Sequence, residues 1–127
     1  MINLIPLLDT FSIYQLTDKE EIPVEIISSG FYSITKTNDE ISIVTSCNLD
    51  SKSLKSSKNW KGLKVNSILD FSLVGIINEI TKPLKDNGIS VFVLSTFNTD
   101  YLFVKKEYFD RAIDIYKFIY NILIKQK

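Results

Sequence analysis

Along the first half of the chain, apolar and polar positions alternate in short runs. "TFSIYQL" (10–16) alternates and is rich in strand formers, which predicts a strand. "DKEEIPVEII" (18–27) is charged and then apolar around Pro23, the pattern of a turn or short helix. "FYSITKT" (31–37) and "EISIVTS" (40–46) flank Asn38-Asp39 and read as a β-hairpin. "CNLDSKSLKSSKNWKG" (47–62) is polar, lacks a sustained apolar face, and reads as the connection between two halves, with a boundary near Trp60.

The second half is patterned more strongly. "GLKVNSILDF" (62–71) starts extended, and Leu73, Ile76, Ile77, Ile80 and Leu84 then recur at helical spacing. Asp70 and Ser72 stand where N-caps belong, Asn87-Gly88 marks the stop, and Pro83 predicts a kink or a tightened last turn. "ISVFVLSTF" and "YLFVKK" form a strand pair. From Phe109 the set Ala112, Ile113, Tyr116, Ile119, Tyr120 and Leu123 predicts a C-terminal helix, with Glu107 and Asp110 near its positive end.

The order β-α-β-β-α, with a partial β-α-β-β echo upstream, predicts an α+β fold. It comprises two tandem ferredoxin-like subdomains, residues 1–59 and 60–127, with antiparallel sheets covered by helices on one face. The second half ends on its helix, so residues 10–16 are expected to complete or extend its sheet. "VFVLSTF" is apolar on both alternating faces, which asks for cover from the other subdomain or from a second chain and points to a homodimer.

Composition removes whole classes of chemistry. The 127 residues are 45% hydrophobic and 24% charged, the balance of a globular domain, and 15 basic residues equal 15 acidic ones. No global field favours nucleic acid or an anionic membrane. The opening "MINLIPLLDTF" is broken by Pro6 and carries Asp9 too early for a leader or a span, so a cytoplasmic address is expected. The absence of His excludes Ser-His and Cys-His nucleophile pairs, and the lone Cys47 excludes an internal disulfide and a cysteine metal cluster. With no phosphate-binding glycine loop either, neither a catalytic residue, a metal ligand nor a cofactor is expected. Lys52, Lys55, Lys58, Lys61 and Lys64 recur every three residues around Trp60, which could suggest a basic strip; a solvated connection explains them without a ligand.

Two segments carry candidate chemistry. In "DFSLVG" (70–75) the chain passes from strand to helix, where unpaired N–H groups and the helix dipole favour an anion, and Gly75 leaves room for it. In "STFNTD" (95–100), Asp100 is the sole acid and can accept from an ammonium or guanidinium, with Thr96 supplying neutral hydrogen bonds. The same residues also suit ordinary roles. "FNTD" is turn chemistry, Phe97 is a core or interface aromatic, Ser72 is a cap, and Gly75 permits close packing.

"LDFSLVGIINEI", "GISVFVLSTFNTDYLFV" and "FYSITKTNDEISIVTS" resemble the small bacterial ACT-domain proteins that share their architecture with the CASTOR-type arginine sensors. The patterns S-T-[FY]-x-T-D and D-x-S-x-x-G carry the likeness. It implies paired ACT subdomains and a free amino acid bound at a subdomain or subunit interface, hence a non-catalytic regulatory protein. It draws Gly75, Thr96, Phe97 and Asp100 toward ligand binding, with Asp70 and Ser72 in the same turn and Asn78 one helical turn after Gly75. A dimerising interaction domain without a small-molecule ligand is the alternative.

Overall fold

The computed structural model describes residues 2–17, 19–49, 55–66, 75–120 and 122–125. In chain order they form β1 (Asn3–Leu16), α1 (Val24–Ile27), β2 (Tyr32–Lys36), β3 (Ile41–Thr45), β4 (Lys55–Val65), α2 (Ile76–Asp86), β5 (Phe92–Ser95), β6 (Asp100–Lys105), α3 (Lys106–Asp114), a π-helical turn at Ile115–Ile119, and β7 (Leu123–Ile124). The fold is α+β. The chain divides into two compact units, Asp9–Asn59 and Met1–Leu8 with Trp60–Lys127. Met1–Leu8 thus groups with the C-terminal residues rather than with those that follow it.

The Asp9–Asn59 unit is a β-α-β-β arrangement with strand order β2-β3-β1, antiparallel throughout. The predicted hairpin is β2 and β3, registered Lys36↔Ile41, and its turn is fastened by Thr37: Asp39 N and Glu40 N both donate to the Thr37 hydroxyl. Alternation places Tyr14, Leu16, Ile41 and Ile43 on one face, where they bury with Ile26 of α1 and Leu49. Leu49 N donates to the Tyr14 hydroxyl at 2.9 Å, so this buried phenol anchors the stretch after β3. Cys47 packs at the margin of the same cluster, as a small hydrophobe does.

The other unit runs β-α-β-β-α-β, with an antiparallel sheet β1-β4-β6-β5 and β7 parallel on the far side of β1. Leu63 and Val65 of β4, Leu102 and Val104 of β6, and Leu4 of β1 meet Ile76, Ile80 and Leu84 of α2 and Ala112, Ile115 and Tyr116 of the C-terminal helix. Of the predicted α2 stripe, Ile76, Ile80 and Leu84 are buried while Ile77 is exposed, and Leu73 lies outside the described residues. Gly88 ends α2 at φ +71°, with Ile89 N donating to Leu84 O, a left-handed glycine stop. Pro83 is buried within the helix, and the Asn87 carboxamide donates to its carbonyl at 2.7 Å.

Two expectations are corrected. Residues 55–62 are strand rather than connection: β4 is held by pairing with β6, Trp60↔Lys105 through Lys64↔Tyr101, and its exposed lysines and serines mask a strand whose apolar residues gather at its end. Three-residue spacing on a strand sends successive lysines to alternate faces, so Lys55, Lys58, Lys61 and Lys64 form no strip; Lys52 lies outside the described residues. Trp60 is no exposed platform either: it is buried against Phe92, 4.8 Å between ring centres.

The second correction concerns the sheet's extra strands. It is residues 3–8 of β1, rather than 10–16, that enter this unit, and the chain does not end on a helix, since β7 follows and pairs Asn3↔Leu123. The π-helical turn makes this possible by ending α3 early: Ile122 N donates to Tyr116 O and Lys125 N to Leu4 O. On β5, Phe92, Val93 and Leu94 are half-buried, and Phe92 packs on its cross-strand partner. Phe92 stacks on Phe103 at 4.6 Å, and Phe103 is fully buried.

Gly62 lies in this aromatic layer, where an added Cβ would stand 2.8 Å from Leu7 Cδ1 and 3.0 Å from Phe103 Cε1. Gly62→Ala is expected to cost about 1–3 kcal/mol, read as a lower midpoint in urea unfolding. The Tyr116 hydroxyl donates to the Ile80 carbonyl in full burial, which also pushes the phenol well above its ordinary pKa. Tyr116→Phe removes that bond, which adds to the helical one at the same carbonyl, and is expected to cost about 0.5–1.5 kcal/mol. A phenol whose pKa is raised on folding contributes fully below its unfolded value of about 10 and less as pH rises past it, so the mutant should lose stability less steeply above that pH.

Candidate functional site

The site residues read from the sequence fall in two places in the Trp60–Lys127 unit. Gly75 and Asn78 begin α2. Gly75 is the N-cap at φ +89°, a conformation that glycine adopts without strain, and an added Cβ would meet nothing within 4 Å. Glu79 N donates to Gly75 O as the first helical bond, and among the described residues no side chain caps the N–H groups before it. Asn78 is exposed, turned away from the buried stripe of Ile76, Ile80 and Leu84. Glu79 adds a negative charge to this first turn. Asp70 and Ser72 lie outside the described residues.

Thr96, Phe97 and Asp100 sit in the turn between β5 and β6. Thr96 N donates to Thr99 O at 2.8 Å, and the Thr96 hydroxyl donates to the same carbonyl and accepts from Thr99 N. Ser95 and Asp100 face each other across the strands, and Ser95 Oγ donates to Asp100 Oδ1 at 2.5 Å. Phe97, at the tip, is 89% exposed. The hydroxyls and the carboxylate thus close the hairpin, while Asp100 keeps a second oxygen able to accept.

Thr99 is the residue that the sequence reading passed over. It is buried, and its hydroxyl donates to Val65 O at 2.5 Å, tying the β5–β6 turn to the end of β4. The chain leaves β4 at that point, and residues 67–74 that follow lie outside the described residues. The β6 alternation gives Thr99 no separate signal, since both phases of that strand carry buried residues. Among the described residues, no three Cys, Asp or Glu side chains gather as a metal set. No helix among them is long and apolar enough to cross a membrane.

A unit of this order and pairing, with a glycine-opened helix after its first strand, is ferredoxin-like. Residues 55–115 match the ACT-domain family, and residues 9–52 match a family model described as an N-terminal domain. Protein Atu0741 from Agobacterium tumefaciens is similar over 99% of this chain and 93% of its own, at 31% identity and a TM-score of 0.87. Residues 55–115 are thus an ACT domain.

Two further likenesses concern the fold alone. Aspartate kinase from Clostridium acetobutylicum, described as an allosteric enzyme, matches at 15% identity and TM-score 0.63 over 88% of this chain and 32% of the kinase. The ligand-free regulatory subunit of aspartate kinase from Thermus thermophilus matches at 8% and 0.59 over 85% of this chain and 91% of its own. No curated protein matches the sequence.

Thr99→Val keeps the shape of the side chain and removes the bond to Val65 O. It is expected to lower stability by about 1–3 kcal/mol, because the carbonyl it leaves is buried. Hydrogen exchange should show the loss first at the amides of residues 96–100, ahead of the rest of β6.

Proposed function

We propose that this protein is a non-catalytic regulatory module that binds a free amino acid at a subdomain or subunit interface. In this reading residues 1–59 hold a second ACT-type subdomain beside that of residues 60–127, and the protein acts as a cytoplasmic homodimer. Support for the tandem reading comes from topology: β2-β3-β1 in one unit and β5-β6-β4 in the other share one order of second, third and first strand. Support for the dimer comes from β5, which ends the strand order and leaves one ladder edge open.

The observation that carries the ligand reading is the β4–α2 junction. A helix opens there on a left-handed glycine, with nothing within 4 Å of an added Cβ and no side-chain cap among the described residues, and the turn that holds Asp100 is tied to the end of β4. Such a junction suits a carboxylate, and the free Asp100 oxygen suits a positively charged group. Asp70, Ser72, Asn78, Thr96 and Phe97 complete the proposed set. Regulatory aspartate-kinase subunits among the structural neighbours favour the same role, and the likeness to CASTOR-type sensors puts arginine first among ligands to try. A dimerising domain without ligand is the second reading, favoured by the hydroxyls of Ser95 and Thr96 being spent on the turn itself.

The test is a thermal-shift screen against the twenty amino acids, because a ligand of the folded state raises its melting temperature by mass action. At least one should do so, with calorimetry confirming it; flat curves leave the second reading. With that ligand, Asp100→Ala is expected to lose roughly ten- to a hundred-fold in affinity, and Ser95→Ala little. Equal, modest stability losses in both variants with affinity untouched would make Asp100 a turn residue.

A further inference from the structure

Asn3 carries the one buried side-chain oxygen or nitrogen among the described residues that has no hydrogen-bond partner, its Oδ1. A buried amide oxygen left unpaired costs stability, and folded proteins pair nearly all of them. Asn3 opens β1, so no difficulty of chain geometry forces an amide there; an apolar residue would serve the strand as well. A position that keeps a destabilising group is a candidate for function.

The neighbours of Asn3 are polar in a regular way. Leu4 points into the helix-side core, so strand alternation turns Asn3 to the opposite face. Asn66 N donates to Asn3 O at 2.8 Å, which sets the two residues opposite each other on β1 and β4. Continuing the Lys64↔Tyr101 register by two residues sets Thr99 opposite Asn66. Asn3, Asn66 and Thr99 therefore form one polar rung across three strands, at the sheet end where the chain leaves β4 toward Gly75. The Thr99 hydroxyl is occupied by Val65 O. What the rung offers is an acceptor.

We propose that Asn3 Oδ1 accepts a hydrogen bond from the ammonium group of the small molecule this protein binds, with Asn66 beside it on the rung. This rests on the amino-acid-binding reading and specifies where the α-ammonium is received. An ammonium carries three donors, so the bond to Asn3 leaves others for further acceptors.

The probes are methylammonium, tetramethylammonium and acetate, titrated at matched ionic strength into uniformly 15N-labelled protein while the side-chain carboxamide signals are followed. Asn3→Leu is melted and titrated alongside, and both proteins are screened against the twenty amino acids. The expected result is saturable movement of the Asn3 and Asn66 signals with methylammonium only, since tetramethylammonium has the charge without N–H donors. Asn3→Leu should melt no lower than the wild type and bind methylammonium roughly tenfold more weakly.

Still signals, movement with acetate instead, or a lower melting temperature for Asn3→Leu would each overturn the proposal, the last because the oxygen would then be satisfied by water. If methylammonium moves Asn3 while no amino acid shifts the melting temperature, the ammonium site stands and the amino-acid reading falls. If an amino acid stabilises wild type and Asn3→Leu equally, that reading stands and the role of Asn3 falls.

Discussion

A strand of fourteen residues must find hydrogen-bond partners along its length, and the pairing of β1 is the constraint on which both units depend. In the Asp9–Asn59 unit, residues 12–16 meet β3 and bring Tyr14 and Leu16 over Ile26. In the other unit, Asn3 and Leu4 receive β7 on one side, and Asn3 receives Asn66 on the other. An ordinary β-α-β-β-α-β unit would set its first and last strands side by side. Here residues 3–8 stand between β4 and β7, so the C-terminal residues have a partner only because the N-terminal ones supply it. That is why α3 must stop in a π-helical turn: the chain has to come back as far as β1.

The same constraint explains what could be read from residues alone. The β2–β3 and β5–β6 hairpins and α2 are local, each specified by its own alternation or stripe and its own turn, and each stands where the pattern puts it. The start of β4 has no such local signature. Lys55, Ser56, Lys58 and Asn59 are exposed strand residues, and they are extended because of what they pair with rather than because of what they are. Asn59 even adopts φ +67°, which asparagine tolerates, at the step where the chain passes from one unit to the other. β7 is two residues long and likewise owes its existence to a partner more than a hundred residues away in sequence.

Candidate chemistry was legible as residue types and less so as roles. "STFNTD" announced a polar turn, and its hydroxyls do close one. Alternation alone points both ways, since Thr99 shares a phase with Tyr101 and Phe103 and Asp100 with the buried Leu102 and Val104, while Phe97, the residue with most apolar surface to hide, is left at the tip. Asn3 gave no sign at all, because its meaning depends on Asn66 lying across from it, which no local pattern encodes.

Ligand identity in this fold has to come from such cross-strand sets. The aspartate-kinase regulatory subunit from Thermus thermophilus keeps the architecture at 8% identity, so the backbone frame persists while nearly every side chain changes. In the proposed reading, a helix start that receives a carboxylate discriminates poorly among amino acids, all of which carry one. Discrimination falls to side chains on the strand ends and turns around it. Acceptors held in fixed positions there select by the cost of leaving a buried partner unpaired, which is larger than the gain from pairing it. On that argument the side chains that matter most for choice of ligand are the ones whose hydrogen-bonding capacity the fold itself does not consume.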